Sequence, residues 1–434
     1  MQPALLIRLR PSGPWRYGPE DGSLDSVDLL YRSDRLFSAV TIAMRQLGFL
    51  DEWLDSTARA TQSEVVFGSL FPFQGETLFA IPPATIWPPP PAQITAPSSV
   101  FLVKFRWKTA RFVPLTLIDS LMTGGPILVD QWVPDGESGC LLRRDRPSAS
   151  PFRTVVRRSA PVDRLDGTAP SAVSTACVEF EPGAGLWTLA RYRDSAAEST
   201  WNERIEAAFR LLADTGFGGK RTSGWGQTHA PEFQRGRWPG LLLPKVGQGG
   251  RNGSARDESN GSSSYWLLSL YSPSPGDRVD WRKGDYEIAV RAGRIEGAAR
   301  SGIPKKLVRM VNEGSVLVSA RELSGVAVDV APDGFEHPVY RFGLALALEF
   351  PVVAARTPED VQAETRPVEE PQREEDFVKS CDTPNAEKVD EAEAPSLEEE
   401  AKPAEEAQPD PETQSEPPVP EPAGEEPEEP KDAL

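Results

Sequence analysis

The chain has 434 residues, 39% of them hydrophobic, and a formal charge of −18. That charge sits at one end: residues 356–434 hold 27 Asp and Glu against 7 Lys and Arg, which leaves residues 1–355 at about +2. A near-neutral body is not a uniformly cationic coat for DNA, though it has room for a local basic groove.

Residues 4–9 (ALLIRL) are an apolar run of strand length, followed by a Pro- and Gly-rich loop in which Trp15, Arg16 and Tyr17 are expected to be exposed. A helix is predicted from Tyr31 to Gly48. Leu36, Phe37, Val40, Met44 and Leu47 recur at helical spacing, and Ser33 and Asp34 supply N-cap chemistry. Residues 36–50 carry Arg45 and Gln46 and are too short to span a bilayer. With no export signal at the N-terminus, a cytoplasmic location without membrane contact is expected.

Residues 67–91 are dense in aromatics and prolines and read as a rigid strap ending in a polyproline segment after Trp87. Val103, Phe105 and Trp107 alternate with Lys104, Arg106 and Lys108. A strand there is either half-buried with a solvated face or a basic rail along a phosphate backbone. Residues 151–167 carry Arg153, Arg157, Arg158 and Arg164 with little apolar content and read as a loop. Residues 201–214 form a second helix whose stripe of Ile205, Ala208, Phe209 and Leu212 belongs to a core. Residues 247–263 read as a flexible linker, and a new strand at 265–271 opens a second domain that closes near 340–353. Beyond residue 355 the chain is rich in Glu and Pro and nearly devoid of aromatics, which predicts a disordered acidic tail.

The chemistry concentrates at 215–227, TGFGGKRTSGWGQ. Its glycines permit positive φ, so that amides approach an anion closely beside Lys220 and Arg221. Neither a P-loop nor a GxGxxG fingerprint fits the spacing. The plainer alternative is a tight helix-to-strand turn. Trp225 either stacks on an unpaired base or plugs the core. Cys140, Cys177, Cys381, His229 and His337 make no metal-ligand spacing, so neither metal nor cofactor is expected.

A glycine-rich loop after the second helix resembles the RAMP superfamily of CRISPR systems. Five further strings occur in the matching order: YRSDRLFSAV from Tyr31, LFPFQGETLFAIPP from Leu70, VDRLDG from Val162, NEGSVL from Asn312 and GFEHPVYRFGLALAL from Gly334. Together they resemble the fourth-subunit family of type III-A Csm effector complexes. That resemblance implies an α+β fold of two ferredoxin-like (RRM-like) RAMP domains with long loop insertions, at 1–246 and 264–354, followed by the acidic tail.

The same resemblance implies a non-catalytic subunit that caps the 5′ repeat-derived tag of CRISPR RNA. Its partners would be the large polymerase/cyclase-like subunit and an adjacent backbone RAMP subunit, with no direct DNA contact. Carried over residue by residue, the grip falls on Gly216, Gly218, Gly219, Lys220, Arg221, Ser223 and Gly224, flanked by Trp225 and Gly226. Arg157, Arg158 and Arg164 give a second contact, with Tyr340 and Arg341 as weaker candidates; Lys104 and Arg106 of the alternating strand are added from the basic-rail reading. The competing expectation is a CRISPR-RNA-processing endoribonuclease using His229 as acid or base.

Overall fold

The computed structural model describes residues 1–19, 22–95, 107–145, 149–160, 172–248, 261–295 and 302–350. The N-terminal half runs β1 (Gln2–Leu9), α1 (Ser33–Gln46), α2 (Leu50–Ser56), β2 (Val65–Phe67), β3 (Phe71–Gln74), β4 (Thr77–Ala80), β5 (Val113–Pro114) and α3 (Leu115–Met122). It continues through β6 (Trp132–Pro134), β7 (Leu141–Arg143), β8 (Phe152–Ser159), β9 (Val173–Phe180), β10 (Ala184–Tyr192), α4 (Ser195–Thr215), β11 (Glu232–Trp238) and α5 (Pro244–Gln248). The continuous apolar run of β1 suits a strand covered on both faces. β1 lies between β10 and β11, antiparallel to both, in a sheet ordered β11-β1-β10-β3-β4-β5, with β2 also on β10.

Helices α1 and α4 pack together and carry the predicted apolar stripes. Leu36, Phe37, Val40 and Met44 are buried from α1, and Ile205, Ala208, Phe209 and Leu212 from α4. α4 begins earlier than its apolar stripe indicates, because Asp194 caps it: its carboxylate accepts the Ala197 N–H at 2.9 Å.

The C-terminal half comprises β12 (Ser263–Leu267), β13 (Val279–Asp285), β14 (Ile288–Arg291), β15 (Val308–Val311), β16 (Val316–Ser319), β17 (Val328–Asp329), β18 (Tyr340–Arg341) and β19 (Ala347–Phe350). Four strands form a sheet ordered β13-β16-β12-β19, while β14 pairs with β15 and β17 with β18. Its Trp266, Leu268, Phe342 and Leu346 join the same buried cluster as α1, and Phe342 stacks on Phe37 with ring centroids 4.3 Å apart. The described residues form one compact unit. Among the described residues no helix is long and apolar enough to cross a membrane.

Three sequence expectations change here. Residues 71–80 of the expected strap are the β3–β4 hairpin, because β3 completes the ladder of β10. The expected loop at 151–167 begins with eight residues of strand, since β8 pairs along its whole length with the more apolar β9. The expected linker is shorter: Gly247 and Gln248 belong to α5, Ser263 starts β12, and residues 249–260 lie outside the described residues, as does the expected tail from 355.

Candidate nucleic-acid interface

The loop after α4 is locked from beneath. Phe217 is fully buried and stacks on Trp15 at 5.1 Å, which anchors the chain between two exposed stretches. The backbone then doubles back: Phe217 N–H donates to the Gly226 carbonyl at 2.9 Å, Gly226 N–H to Pro14 at 2.9 Å and Gly219 N–H to Arg16 at 2.8 Å. Two glycines are dictated by this crossing. A Cβ on Gly218 (φ +74°) would lie 2.3 Å from the Arg16 carbonyl oxygen, and one on Gly226 (φ +80°) 1.9 Å from that of Phe217.

Most loop amides therefore hold the loop itself together, which corrects the expectation of a bare amide cradle. What faces solvent is the turn above: Lys220, Arg221, Ser223 and Gly224 are exposed, and Lys220 adopts φ +59°. Lys220 and Arg221 have no carboxylate partner among the described residues. Trp225 is half-buried beside them and Gly216 is buried below.

Trp15, Arg16 and Tyr17 are buried rather than exposed, because this segment is the floor on which the loop rests. The Arg16 guanidinium is caged by main-chain carbonyls, donating to Leu24 (3.1 Å), Ser26 (3.2 Å), Ala176 (2.6 Å) and Ser23. Carbonyl dipoles orient a cation without cancelling its charge, and burial pulls the Arg16 pKa down. Tyr31 stands next to it, its hydroxyl pushed up to about 12 by burial.

Arg16, Tyr31, Gly218, Gly219 and Arg221 form one side of a cleft of about 400 Å³. The α1 residues Asp34, Arg35 and Ser38 line it between the two halves of the chain, and Gly293, Arg294, Lys305, Tyr340 and Arg341 line it from the C-terminal half. Six cations and one carboxylate line this space.

That carboxylate belongs to Asp34, which was expected to cap α1. The N-cap is instead Arg32, with no side-chain cap, and Asp34 turns to the C-terminal half. It receives Arg291 through Nε (3.1 Å) and Nη2 (3.0 Å), and Arg341 through Nη1. Burial opposes its charge, but the guanidiniums of Arg291, Arg341 and Arg35 outweigh burial and hold the Asp34 carboxyl below the usual carboxylate range. Ser33, the other expected cap, accepts Leu270 N–H at 3.0 Å, and Arg32 pairs with buried Glu313, which also receives the Ser69 hydroxyl. Arg341, a weaker candidate, is thus a buried partner of Asp34 at the cleft wall.

The other candidates are elsewhere. Arg157 and Arg158 are exposed on β8, and Glu179 on β9 pairs with Arg157 (2.6 Å) and Arg153 (3.5 Å), so part of that positive charge is already matched. Arg164, Lys104 and Arg106 lie outside the described residues. His229 is exposed, and among the described residues no titratable side chain is hydrogen-bonded to it; its backbone N–H donates to the Arg10 carbonyl. Sequence reading missed Arg16, Arg35, Arg294 and Lys305. The available signal was Asp34 itself, a charge beside the apolar positions Leu36 and Phe37, which demands a buried partner.

The chain is thus an α+β protein with antiparallel sheets, a glycine-locked basic turn and a cationic cleft. Residues 260–350 match the family model of the CRISPR Csm4 C-terminal domain. No curated protein matches it. Its fold is similar to a chain in the crystal structure of a Csm3-Csm4 subcomplex of the type III-A CRISPR-Cas interference complex. The TM-score is 0.52 at 12% identity, covering 80% of this chain and 99% of that one. A chain of a Csm1-Csm4 cassette in complex with cA4 is also similar, with TM-score 0.48 and 17% identity over 81% and 100% of the two chains.

Proposed function

We propose that this chain is a non-catalytic RNA-binding subunit of a type III-A effector complex, which grips the 5′ repeat-derived tag of the CRISPR RNA with the turn at 216–226. The observation that carries this reading is the charge of Lys220 and Arg221, unmatched by any carboxylate among the described residues, on a glycine frame at a cleft lined by six cations and one carboxylate. Phosphate contacts of this kind supply affinity without reading sequence. Trp225 adds a surface on which an unpaired base stacks. Arg157 and Arg158 extend the contact, with Arg164, Lys104 and Arg106 as further candidates.

In this reading the subunit works in the cytoplasm and docks on the large polymerase/cyclase-like subunit and a neighbouring backbone RAMP subunit. The Csm3-Csm4 subcomplex of similar fold supports the second contact. The antiparallel sheet around β1 with α1 and α4 packed together supports a ferredoxin-like (RRM-like) N-terminal domain, with a second RAMP domain at 264–354 and the acidic tail beyond. Nothing in the structure favours the endoribonuclease alternative, because exposed His229 lacks a catalytic neighbour among the described residues.

Filter binding and cleavage of tag-bearing CRISPR RNA test this reading with wild type, Lys220→Ala/Arg221→Ala and His229→Ala. The double variant is expected to lose roughly tenfold or more in affinity, and its log-log salt slope to flatten by about 1.4 for two lost phosphate contacts on a single strand. Unchanged tag affinity in the double variant refutes the grip. Cleavage abolished by His229→Ala alone establishes the nuclease.

A further inference from the structure

We propose that a second cavity, apart from the cleft at the glycine turn, binds a nucleoside phosphate, with the base stacked on Trp87 and the phosphate held by Lys108 and Arg111. The cavity has about 350 Å³ and shares no lining residue with that cleft. This is at the lower end of ligand sites, which run from roughly 300 to 1,000 Å³, and suits one nucleotide.

The ring comes first. Trp87 stacks on Trp107 with centroids 5.3 Å apart and planes 16° from parallel, and Trp107 is only 2% exposed. Trp87 Nε1 donates to the Trp107 carbonyl at 3.2 Å. One face of the half-buried indole is thus covered and its polar handle is spent. What Trp87 brings to the cavity is apolar π surface, on which any base stacks.

A turn sets the cations beside it. The carbonyl that receives the indole also accepts Ala110 N–H at 3.0 Å, and the Arg111 backbone N–H donates to the Gly139 carbonyl at 2.8 Å, which brings Lys108 and Arg111 to the cavity. Arg111 rests over the Phe112 ring at 5.4 Å. Among the described residues its guanidinium makes no hydrogen bond, and the one carboxylate within 4.0 Å is Asp28 at 3.9 Å, beyond hydrogen-bond reach. Desolvation nonetheless pulls the Arg111 pKa down. The side chain is 36% exposed and none of its nitrogens is sealed from solvent, so its donors stand open to a ligand. Lys108 is exposed and has no carboxylate partner among the described residues.

Asn312 and Glu287 line the cavity from the C-terminal half. Arg32 donates to Asn312 Oδ1 at 3.0 Å, which leaves Nδ2 of Asn312 without a partner among the described residues. The exposed Glu287 carboxylate has no ion pair there either. The two supply one donor and one acceptor for the edge of a base. A flat aromatic body carrying an anion satisfies the whole set, whereas inorganic phosphate leaves the ring bare and a nucleoside leaves both cations unmatched.

The test titrates the full chain by calorimetry with AMP, CMP, GMP and UMP, with adenosine and inorganic phosphate as the two halves of the ligand, and with a short single-stranded RNA. The RNA is titrated in the Lys220→Ala/Arg221→Ala background, so that the glycine turn does not contribute. Lys108→Ala/Arg111→Met should weaken nucleotide binding roughly tenfold or more. Its urea midpoint checks that it is folded, and Lys108→Glu, at an exposed position, repeats the measurement if it is not. RNA that binds more tightly than every monophosphate assigns the site to a nucleotide within a strand, and the reverse order to a free nucleotide; either result upholds the pocket when the cavity variant loses it. Binding of neither monophosphate nor RNA, or a cavity variant that binds like wild type, overturns it. So does monophosphate binding that Lys220→Ala/Arg221→Ala abolishes, or phosphate or adenosine that binds as tightly as the nucleotide.

Discussion

Asp34 and Arg291, 257 positions apart in sequence, form a two-pronged buried ion pair at 3.0 and 3.1 Å between the first turn of α1 and the end of β14. Arg341 joins the same carboxylate from β18. The pair fastens the N-terminal half, which carries the glycine turn, to the half that carries the cationic wall.

Arg291→Met should therefore destabilise the chain by about 3–5 kcal/mol, the usual cost of stripping one partner from a buried pair. Asp34→Ala should cost at least as much, because it leaves two guanidiniums facing each other. Urea unfolding of the purified variants measures both. A loss below about 1 kcal/mol would mean that water already screens the pair.

The same carboxylate sets a pH dependence. Its folded-state pKa is depressed, by the arginines against the opposing effect of burial. Its contribution is complete above the unfolded-state value of about 3.9 and is lost as pH falls through the folded value. Wild-type stability should thus drop on acidification below about pH 4 more steeply than that of Asp34→Asn. Parallel curves for the two proteins would exclude Asp34 as the source.

The loop glycines differ in consequence. Gly226→Ala puts a methyl group 1.9 Å from a backbone oxygen at φ +80° and should dismantle the turn, abolishing tag binding. Gly224→Ala, at φ +77° with its nearest atom 3.8 Å away, meets only the left-handed penalty of about 1–2 kcal/mol and should bind RNA with reduced stability. Equal effects in filter binding would show that the close approach of the two strands of the loop is not what shapes it.

Helices α1 and α4 were legible from one apolar periodicity each, and strand β1 from its continuous apolar run. The glycine turn was legible as a turn, but its function as a self-locked frame was not. Which carbonyl meets Gly218 depends on a segment about 200 positions away, around Arg16. The cleft was invisible for a similar reason: Arg16, Asp34, Arg294 and Arg341 are far apart in sequence and meet only when the two halves share a core. Two of the strings behind the family resemblance meet elsewhere along the contact between the halves. The carbonyl of Gly314 in NEGSVL accepts Ala84 N–H, and Gly314 admits no Cβ beside Ile81 in the AIPP segment, where the gap is 2.4 Å. Those strings mark the seam between halves more than the RNA contact.

Trp225 separates the two readings left open for it. Its half-buried ring sits on the turn next to exposed Lys220 and Arg221, while the buried anchor of the loop is Phe217. A stacking platform predicts that Trp225→Ala costs about 1–3 kcal/mol in tag affinity, leaves the salt slope unchanged because no phosphate contact is removed, and barely moves the urea midpoint. A core plug predicts the reverse, with a loss of stability of about 3–5 kcal/mol and affinity preserved in the folded fraction. Fluorescence titration of wild type with a single-stranded tag RNA adds an independent reading, in which quenching that disappears in Trp225→Phe locates the stacked base at this ring.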